Sequence, residues 1–245
     1  TLVGSVDASE RDGFELAVSG SLVFFCTQTT CDIFDVSTPT APALASTIVG
    51  GARGVAPVGP RLYTVTNGSN LRVYDIRNPV SPALVTSMSF EAHDVHFTAA
   101  GDLVAIGTSG LYTLDLTHPN SPAVIGHDPD ITGDRIREGD GILYANNPLR
   151  ALDLQDPTNP TAGDAVGTGA RAGSLPEGPD FAVADGLAYF GELHLPYLDV
   201  SPLTSVPVAS ATQATGTNGH ELIDMAVALD RARTLIASNG YFFDV

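Results

Sequence analysis

The sequence of 245 residues contains no lysine and no tryptophan, and its positive charge rests on eleven arginines set against 28 acidic residues. The formal net charge at pH 7 is therefore −17. An anionic surface of this kind repels nucleic-acid phosphates and acidic lipid headgroups, and the arginines are too scattered to form a basic patch. We therefore expect no nucleic-acid partner, whereas cations and basic partners are favoured.

Long apolar runs are also lacking. No stretch approaches the roughly 20 apolar residues that cross a bilayer, and the first residues lack the basic and apolar regions of a signal peptide. We therefore expect no membrane insertion, and a signal peptide, if there is one, lies outside this sequence. The composition is 43% hydrophobic and only 16% charged, which is too apolar for disorder. Glycine and proline are spread evenly without a linker, which predicts one domain over residues 1–245.

Cysteine is scarce, with only Cys26 and Cys31, in the segment FFCTQTTCDIF. Apolar strand-like runs flank a polar turn of four residues, so the two side chains can face each other across a hairpin at disulfide distance. Such a disulfide would indicate an oxidising compartment. Two reduced surface thiols are the alternative, and a metal site is disfavoured because there is no second pair of cysteines.

A repeat runs through the whole chain. The segments LRVYDIRNPVSPALV and LYTLDLTHPNSPAVI share an apolar alternation, an aspartate, an apolar residue and then Pro-x-x-Pro. The pattern recurs in CDIFDVSTPTAPALA and LRALDLQDPTNPTAG, and more weakly in LPYLDVSPLTSVPVA and GYFFDV. The anchoring aspartates are separated by 40, 40, 38, 46 and 45 residues, and they are Asp35, Asp75, Asp115, Asp153, Asp199 and Asp244.

Each repeat unit contains four short β-rich runs separated by turn residues, and no segment shows a helical period. Four antiparallel strands in about 40 residues are typical of one propeller blade. The sequence therefore predicts an all-β, six-bladed β-propeller. The predicted blades are about 9–50, 51–90, 91–130, 131–170, 171–216, and 217–245 together with 1–8.

The two ends of the chain predict how the ring closes. The last unit stops at Val245 and lacks the strand that follows Pro-x-x-Pro elsewhere, while the opening TLVGSV matches ALVTSM and AVIGHD in pattern. An N-terminal strand that joins the last blade would close the ring and leave no open sheet edge. The alternative is that residues outside this sequence complete the sixth blade.

With these motifs the chain resembles the LVIVD-repeat β-propellers, which occur mostly in secreted or surface-anchored bacterial proteins. The segments VYDIRNPVSPALV and TLDLTHPNSPAVI carry the resemblance. It implies a propeller fold and a secreted, periplasmic or cell-surface location. It implies no particular reaction.

The strand order divides the loops between two faces. We call the side of the Asp-x-x-x-Pro turns and of the first-to-second-strand turns the bottom face, and the opposite side the top face. The repeated aspartates are the same in every unit, which favours a structural role in which each carboxylate accepts N–H groups of its turn. The top loops differ between units and hold roughly half of the acidic residues and most of the histidines. We therefore expect function on the top face.

Alignment of the first strands places one residue of each blade near the ring axis. This column is Glu15, Gly54, Asp94, Arg135, Asp180 and Asp224, with Arg53, His93 and Asp134 one residue earlier. Ca²⁺ takes six to eight oxygen ligands, so convergent carboxylates would form a plausible calcium site. The predicted metal ligands are Glu15, Asp94, Asp180 and Asp224. The alternative is a water-filled anionic channel that Arg53 and Arg135 partly neutralise.

Two functions follow from these patterns. The favoured one is a monomeric, non-enzymatic extracellular module whose top face and acidic channel bind a protein, a glycan, a small molecule or a cation. The competing one is a hydrolase, lyase or isomerase with its site at the channel mouth. Its candidate catalytic residues are His93, Asp94, Asp134, Arg135, His194 and His220. No Gly-x-Ser-x-Gly nucleophile motif and no phosphate-binding glycine loop is present.

Overall fold

The structure is a computed structural model that describes residues 4–8, 13–66, 70–139, 141–146 and 148–163. Further along the chain it describes the strand segments 181–184, 187–190, 196–199, 212–213, 226–230, 233–238 and 241–244. The regular secondary structure of these residues is β-strand throughout. They include no helix long and apolar enough to cross a membrane.

Four successive sheets of four antiparallel strands form the first four blades. The first blade consists of β1 (Gly13–Ser19), β2 (Leu22–Thr27), β3 (Thr30–Asp35) and β4 (Ala43–Val49). The second consists of β5 (Gly54–Val58), β6 (Arg61–Val65), β7 (Asn70–Asp75) and β8 (Ala83–Ser89). The third consists of β9 (Asp94–Phe97), β10 (Leu103–Gly107), β11 (Gly110–Asp115) and β12 (Ala123–Asp128). The fourth consists of β13 (Ile136–Gly139), β14 (Ile142–Ala145), β15 (Arg150–Asp153) and β16 (Thr161–Ala162).

The remaining strands pair into two further sheets. One has the order β17 (Phe181–Ala184), β18 (Leu187–Phe190), β19 (Pro196–Asp199) and β20 (Thr212–Gln213). The other contains β21 (Ala226–Asp230), β22 (Arg233–Ser238) and β23 (Tyr241–Asp244). The first strands of consecutive sheets touch in the series β1, β5, β9, β13, β17 and β21. This arrangement of inner strands is that of a propeller.

The predicted all-β propeller of antiparallel strands is confirmed, but its finer details are not. The structure establishes four complete blades, those whose side chains it describes, and not the six that were predicted. It does not establish closure of the ring. The predicted closing strand lies partly outside the described residues, and residues 4–8 do not form a strand. Gly4 instead lies so close to the Asp-x-x-x-Pro turn of the first blade that an added Cβ would be 2.3 Å from the Pro39 carbonyl oxygen.

The hydrophobic core lies between neighbouring blades. One cluster joins Phe24 and Ile33 of the first blade to Leu62 of the second, and another joins Ile106 of the third to Ile136 of the fourth. The second strands are covered on both faces, which is why β10 is apolar and buried at all five positions of the run LVAIG. This packing sets the spacing of the inner strands around the axis.

The Pro-x-x-Pro segment forms the same turn in each of the first four blades. The residue before the first proline accepts an N–H from three residues later, as between Thr38 O and Ala41 N at 2.8 Å. Proline is favoured at the second position of such a turn because its ring fixes φ. The repeated aspartate accepts the N–H two residues after it, at 2.7–3.0 Å. The aspartates concerned are Asp35, Asp75, Asp115 and Asp153. Asp199 and Asp244 likewise end the third strands of the last two sheets.

Cys26 and Cys31 lie directly opposite each other in the β2–β3 ladder and form a disulfide. Both side chains are buried. The predicted pairing across the hairpin is confirmed, and the alternative of two reduced surface thiols is not what the structure contains.

Candidate functional site

The inner strands bring the predicted column to one level of the channel. Glu15, Gly54 and Asp94 occupy the same step of their ladders, opposite Cys26, Val65 and Ile106. Arg135 takes this step in the fourth blade, where its carbonyl accepts the N–H of Asn146 at 3.1 Å. Asp180 and Asp224 lie outside the described residues. For the four members that the structure describes, the column predicted from the aligned repeats is therefore the column that the inner strands form.

Asp94 is a buried carboxylate that ties the third blade to the fourth. Its Oδ1 accepts the Val95 N–H at 2.8 Å, and its Oδ2 accepts the Ile136 N–H at 2.8 Å and Arg137 Nη1 at 2.9 Å. Burial of an ionised carboxylate is costly unless charged and polar donors compensate it. These three donors compensate the charge of Asp94. Because two of them come from β13, the carboxylate links the inner strands of the third and fourth blades.

The glycine in the column is explained by the same carboxylate. A Cβ at Gly54 would lie 2.5 Å from Asp94 Oδ1 and 2.7 Å from Asp94 Cα. Only a residue without a side chain leaves room for Asp94 at the boundary between the second and third blades. The close approach of β5 and β9 therefore depends on glycine at this step.

An ion pair spans the channel between the first and fourth blades. Arg137 Nη2 lies 3.1 Å from Glu15 Oε2, and Arg135 Nη1 lies 3.8 Å from the same oxygen. Arg135 Nη1 also donates to the Arg53 carbonyl at 2.7 Å. Sequence reasoning did not single out Arg137, although a residue two positions after Arg135 in a strand points to the same side.

The described part of the channel is thus different from a ring of carboxylates. Glu15 and Asp94 supply two negative charges, Arg135 and Arg137 supply two positive charges, and all four form one network. Within the residues that the structure describes, no group of three His, Cys, Asp or Glu side chains is placed to hold a metal ion. Calcium binding by the column, Asp180 and Asp224 included, stays a prediction.

A histidine–carboxylate pair lies at the top of the channel. His93 Nδ1 is 2.8 Å from Asp134 Oδ1, and both side chains are largely shielded, with 16% and 13% of their surface exposed. Asn146 Oδ1 accepts the Asp134 N–H at 3.2 Å and holds the carboxylate's segment in place. Of the six candidate catalytic residues, the structure pairs His93 with Asp134 and places Asp94 and Arg135 in the buried network. His194 and His220 lie outside the described residues.

Two neighbouring acid–base groups have structural partners. Glu91 accepts hydrogen bonds from Thr108 and Ser109, which lower the pKa of its carboxyl group and fix the loop before β9. His96 Nε2 lies 3.4 Å from Glu138 Oε2, and burial lowers the pKa of the imidazole. Each of these groups links two strands or loops.

A concave surface of the described residues lies on the bottom face, opposite the top face where we expected function. A groove of about 620 Å³ lies between the second and third blades, and we call it the bottom groove. Its apolar lining consists of Val58, Pro60, Tyr63, Phe97, Leu116 and Pro119. The polar residues Arg61, Thr117, His118, Asn120 and Ser121 also line it. The repeat motif of the third blade supplies part of the wall, but the motif alone did not predict a groove, because two different blades contribute its walls.

Hydrogen bonds between the two blades hold the bottom groove in shape. Tyr63 Oη donates to the Pro119 carbonyl at 3.0 Å. Arg61 Nε donates to Asn120 Oδ1 at 2.7 Å, and Arg61 Nη1 donates to the Pro60 carbonyl at 3.1 Å and lies 3.1 Å from Asp75 Oδ1. Burial raises the pKa of the Tyr63 hydroxyl, so it stays a donor at neutral pH. The guanidinium of Arg61 is therefore positioned before any ligand arrives.

The LVIVD repeat family model matches residues 11–48 and 49–89, which confirms the resemblance seen in the sequence. No curated protein matches the chain in sequence.

Solved structures share the fold at low identity. A protein from Lactobacillus plantarum is 13% identical with a TM-score of 0.69, over 92% of this chain and 77% of that one. A chain of the mitotic checkpoint complex is 11% identical with a TM-score of 0.61, over 94% and 73%. The computationally designed Ika8 protein is 10% identical with a TM-score of 0.57, over 93% and 68%. These likenesses show the fold alone.

Proposed function

The chain is a β-propeller that carries LVIVD repeats, and we propose that it is a non-catalytic binding or scaffolding module outside the cytoplasm. The observation that supports this proposal best is that the described carboxylates of the channel are already bound by donors of the protein. Asp94 accepts three hydrogen bonds, and Glu15 faces two arginines across the channel. Carboxylates held in this way support the blades rather than exchange protons with a substrate.

The proposed location rests on two features. The resemblance to LVIVD-repeat proteins implies a secreted, periplasmic or surface protein. The disulfide between Cys26 and Cys31 is consistent with an oxidising compartment. The top-face loops and the bottom groove are then the surfaces that meet a protein, a glycan or a small molecule.

The proposal is tested by asking whether a ligand is bound or consumed. Oligosaccharides, peptides and small organic acids are screened by thermal shift, because a ligand that binds only the native state raises the melting temperature. Each ligand that shifts the transition is then incubated with the protein and recovered for mass analysis. Recovery of unchanged ligand is expected. Turnover that disappears in a His93→Ala variant would overturn the non-catalytic role.

The second candidate function is an enzyme, and it is supported by the His93–Asp134 pair. A carboxylate on Nδ1 orients the imidazole and leaves Nε2 to act as an acid or a base. If the chain is an enzyme, Asp134→Asn should reduce kcat at least about tenfold with a smaller effect on KM, because an oriented general base contributes to the transition state. Equal rates for the variant and the parent would remove this candidate.

We also propose that the ring has six blades and that the N-terminal segment covers the edge of the last one. Gly4 stands against Pro39 and Pro42 as Gly126 of the third blade's outer strand stands against Pro157 and Pro160 of the fourth. The match supports an outer-strand position for this segment beside the first blade. The sheet β21–β23 has room for such a strand, since its three strands lack the fourth that the other five sheets have.

A further inference from the structure

We propose that the bottom groove binds a carboxylate with an apolar body, and that Arg61 holds the carboxylate. The inference rests on the proposed binding role and adds the place and the chemical class of a ligand. It deepens that role on the face opposite the one that the sequence favoured.

The bottom groove is large enough for a small organic molecule and has an apolar lining. Its volume of about 620 Å³ falls within the range of small-molecule sites. Phe97 leaves 37% of its surface exposed although it is a large apolar residue. Gly59 and Gly101 border the groove, and no atom lies within 4 Å of a Cβ added to either. The space is therefore open to an apolar group that would cover Phe97 and Leu116.

Arg61 is the arginine that lines the groove. Arg61 Nε is bound to Asn120, and Nη1 is bound to the Pro60 carbonyl and to Asp75. Among the described residues no protein acceptor contacts Nη2. Only 12% of the side-chain surface is exposed, so the group is largely desolvated and held in one orientation. A preorganised arginine of this kind suits a carboxylate better than a flexible surface charge does.

Three charged groups, Arg61, Asp75 and Arg77, form a cluster at this edge of the second blade. Asp75 is shared by Arg61, which lines the groove, and by the exposed Arg77, which does not. Asp115, which precedes the groove wall in sequence, directs Oδ1 to the N–H and hydroxyl of Thr117. The guanidinium of Arg61 favours an anion, and the apolar lining favours an organic acid over inorganic phosphate.

The test compares an acid with its neutral isostere. Calorimetry and ligand-observed NMR measure the binding of 4-phenylbutanoate and 4-phenylbutanamide to the whole chain. We expect the acid to bind about tenfold more tightly than the amide, because one charge-assisted contact distinguishes them. A peptide ending in a free phenylalanine carboxylate offers the same chemistry, and tighter binding of that peptide than of the small acid would identify a chain terminus as the source.

The variants assign the effect to the groove. Arg61→Gln should remove the preference for the acid, whereas Arg77→Gln, on the exposed side of the same cluster, should preserve it. Phe97→Ala should weaken acid and amide alike by about tenfold, and its exposed position keeps the fold intact. Unaltered melting curves establish that each variant is folded.

Equal binding of acid and amide, no binding of either, or an acid preference that survives Arg61→Gln would overturn the groove assignment. The wider binding role stands or falls separately on the ligand screen, because that screen includes compounds for the top face.

Discussion

Buried charge in the channel is arranged so that carboxylates touch arginines. Glu15 and Asp94 leave 9% and 1% of their side-chain surface exposed, and Arg137 contacts both. The attraction offsets the desolvation of the ions only while the partners are in place. Arg137 lies in a strand of only four residues, yet it should contribute strongly to stability because it is the shared partner of both carboxylates.

We predict that Arg137→Met lowers the free energy of unfolding by about 3 kcal/mol, because it leaves two shielded carboxylates without their shared partner. Chemical denaturation of the variant measures this loss. Adding Glu15→Gln to the variant should recover part of the stability, since it removes a shielded charge that then has only Arg135, at 3.8 Å, beside it. Arg77→Gln, whose side chain is 72% exposed, is the control and should change stability little. A loss in the control as large as in Arg137→Met would contradict this account.

The recurring element is a four-stranded blade that ends its third strand with an aspartate and a proline turn. A β-bulge follows the turn at the same place in the first three blades, opposite the steps Ile33/Phe34, Val73/Tyr74 and Thr113/Leu114. The turn also touches the preceding blade, as Ser46 Oγ donates to the Pro79 carbonyl at 2.5 Å. The repeated motif therefore serves both its own blade and its neighbour.

The turn aspartate Asp75 makes stability depend on pH in the acid range. Hydrogen bonds from Arg77 lower the pKa of Asp75 from 3.8 to about 2. The unfolded chain therefore takes up a proton first as the pH falls, so the stabilisation is complete above about pH 4 and is lost towards pH 2. We predict that Asp75→Asn is less stable than the parent at pH 5 and that the difference shrinks between pH 4 and pH 2.

Urea denaturation at a series of pH values measures the difference for Asp75→Asn. Asp130→Asn removes an exposed carboxylate in the loop after β12 and provides the matched control for the loss of one surface charge. A constant difference for Asp75→Asn over the whole range would show that the charge of this carboxylate has no role in the turn.

At the scale of the whole molecule, the described blades are held by contacts between neighbours and by a cluster across the channel, in which Arg135 and Arg137 reach Glu15 and Arg135 reaches the Arg53 carbonyl. The Arg137–Glu15 pair joins residues 122 positions apart. The net charge of −17 consequently does not collect in the described part of the channel, where acids and arginines balance. The excess of acidic residues has to act elsewhere on the molecule.

Ring closure by the N-terminal segment predicts that Gly4→Val lowers the melting temperature. A Cβ at this position would lie 2.3 Å from the Pro39 carbonyl oxygen and 2.9 Å from Pro42 Cδ, so the segment would be pushed off the first blade. Ser5→Val is the control because Ser5 is exposed and should have a small effect. Calorimetry compares the two variants with a chain that lacks residues 1–6, and closure fails if all three melt like the parent.

The local features were predictable because short-range chemistry determines them. Proline fixes the turn conformation, and the Asx-turn of Asp35 or Asp115 needs only residues two positions apart. The placement of Glu15, Gly54 and Asp94 in one column followed from aligning repeats. The partner of His93 did not, because the choice of Asp134 depends on how two blades face each other.

What the sequence alone determined is the repeat, the antiparallel four-stranded unit, the proline turn and the Cys26–Cys31 pairing, since each arises within about 40 residues of chain. What only the tertiary structure decided is which charges meet and where the surface is concave. Arg137 reaches Glu15 because the ring brings the first and fourth blades together across the channel, and the bottom groove exists because two blades meet at a defined distance. Contacts across the axis form only when the blades are assembled, so the repeat pattern of the sequence does not predict them.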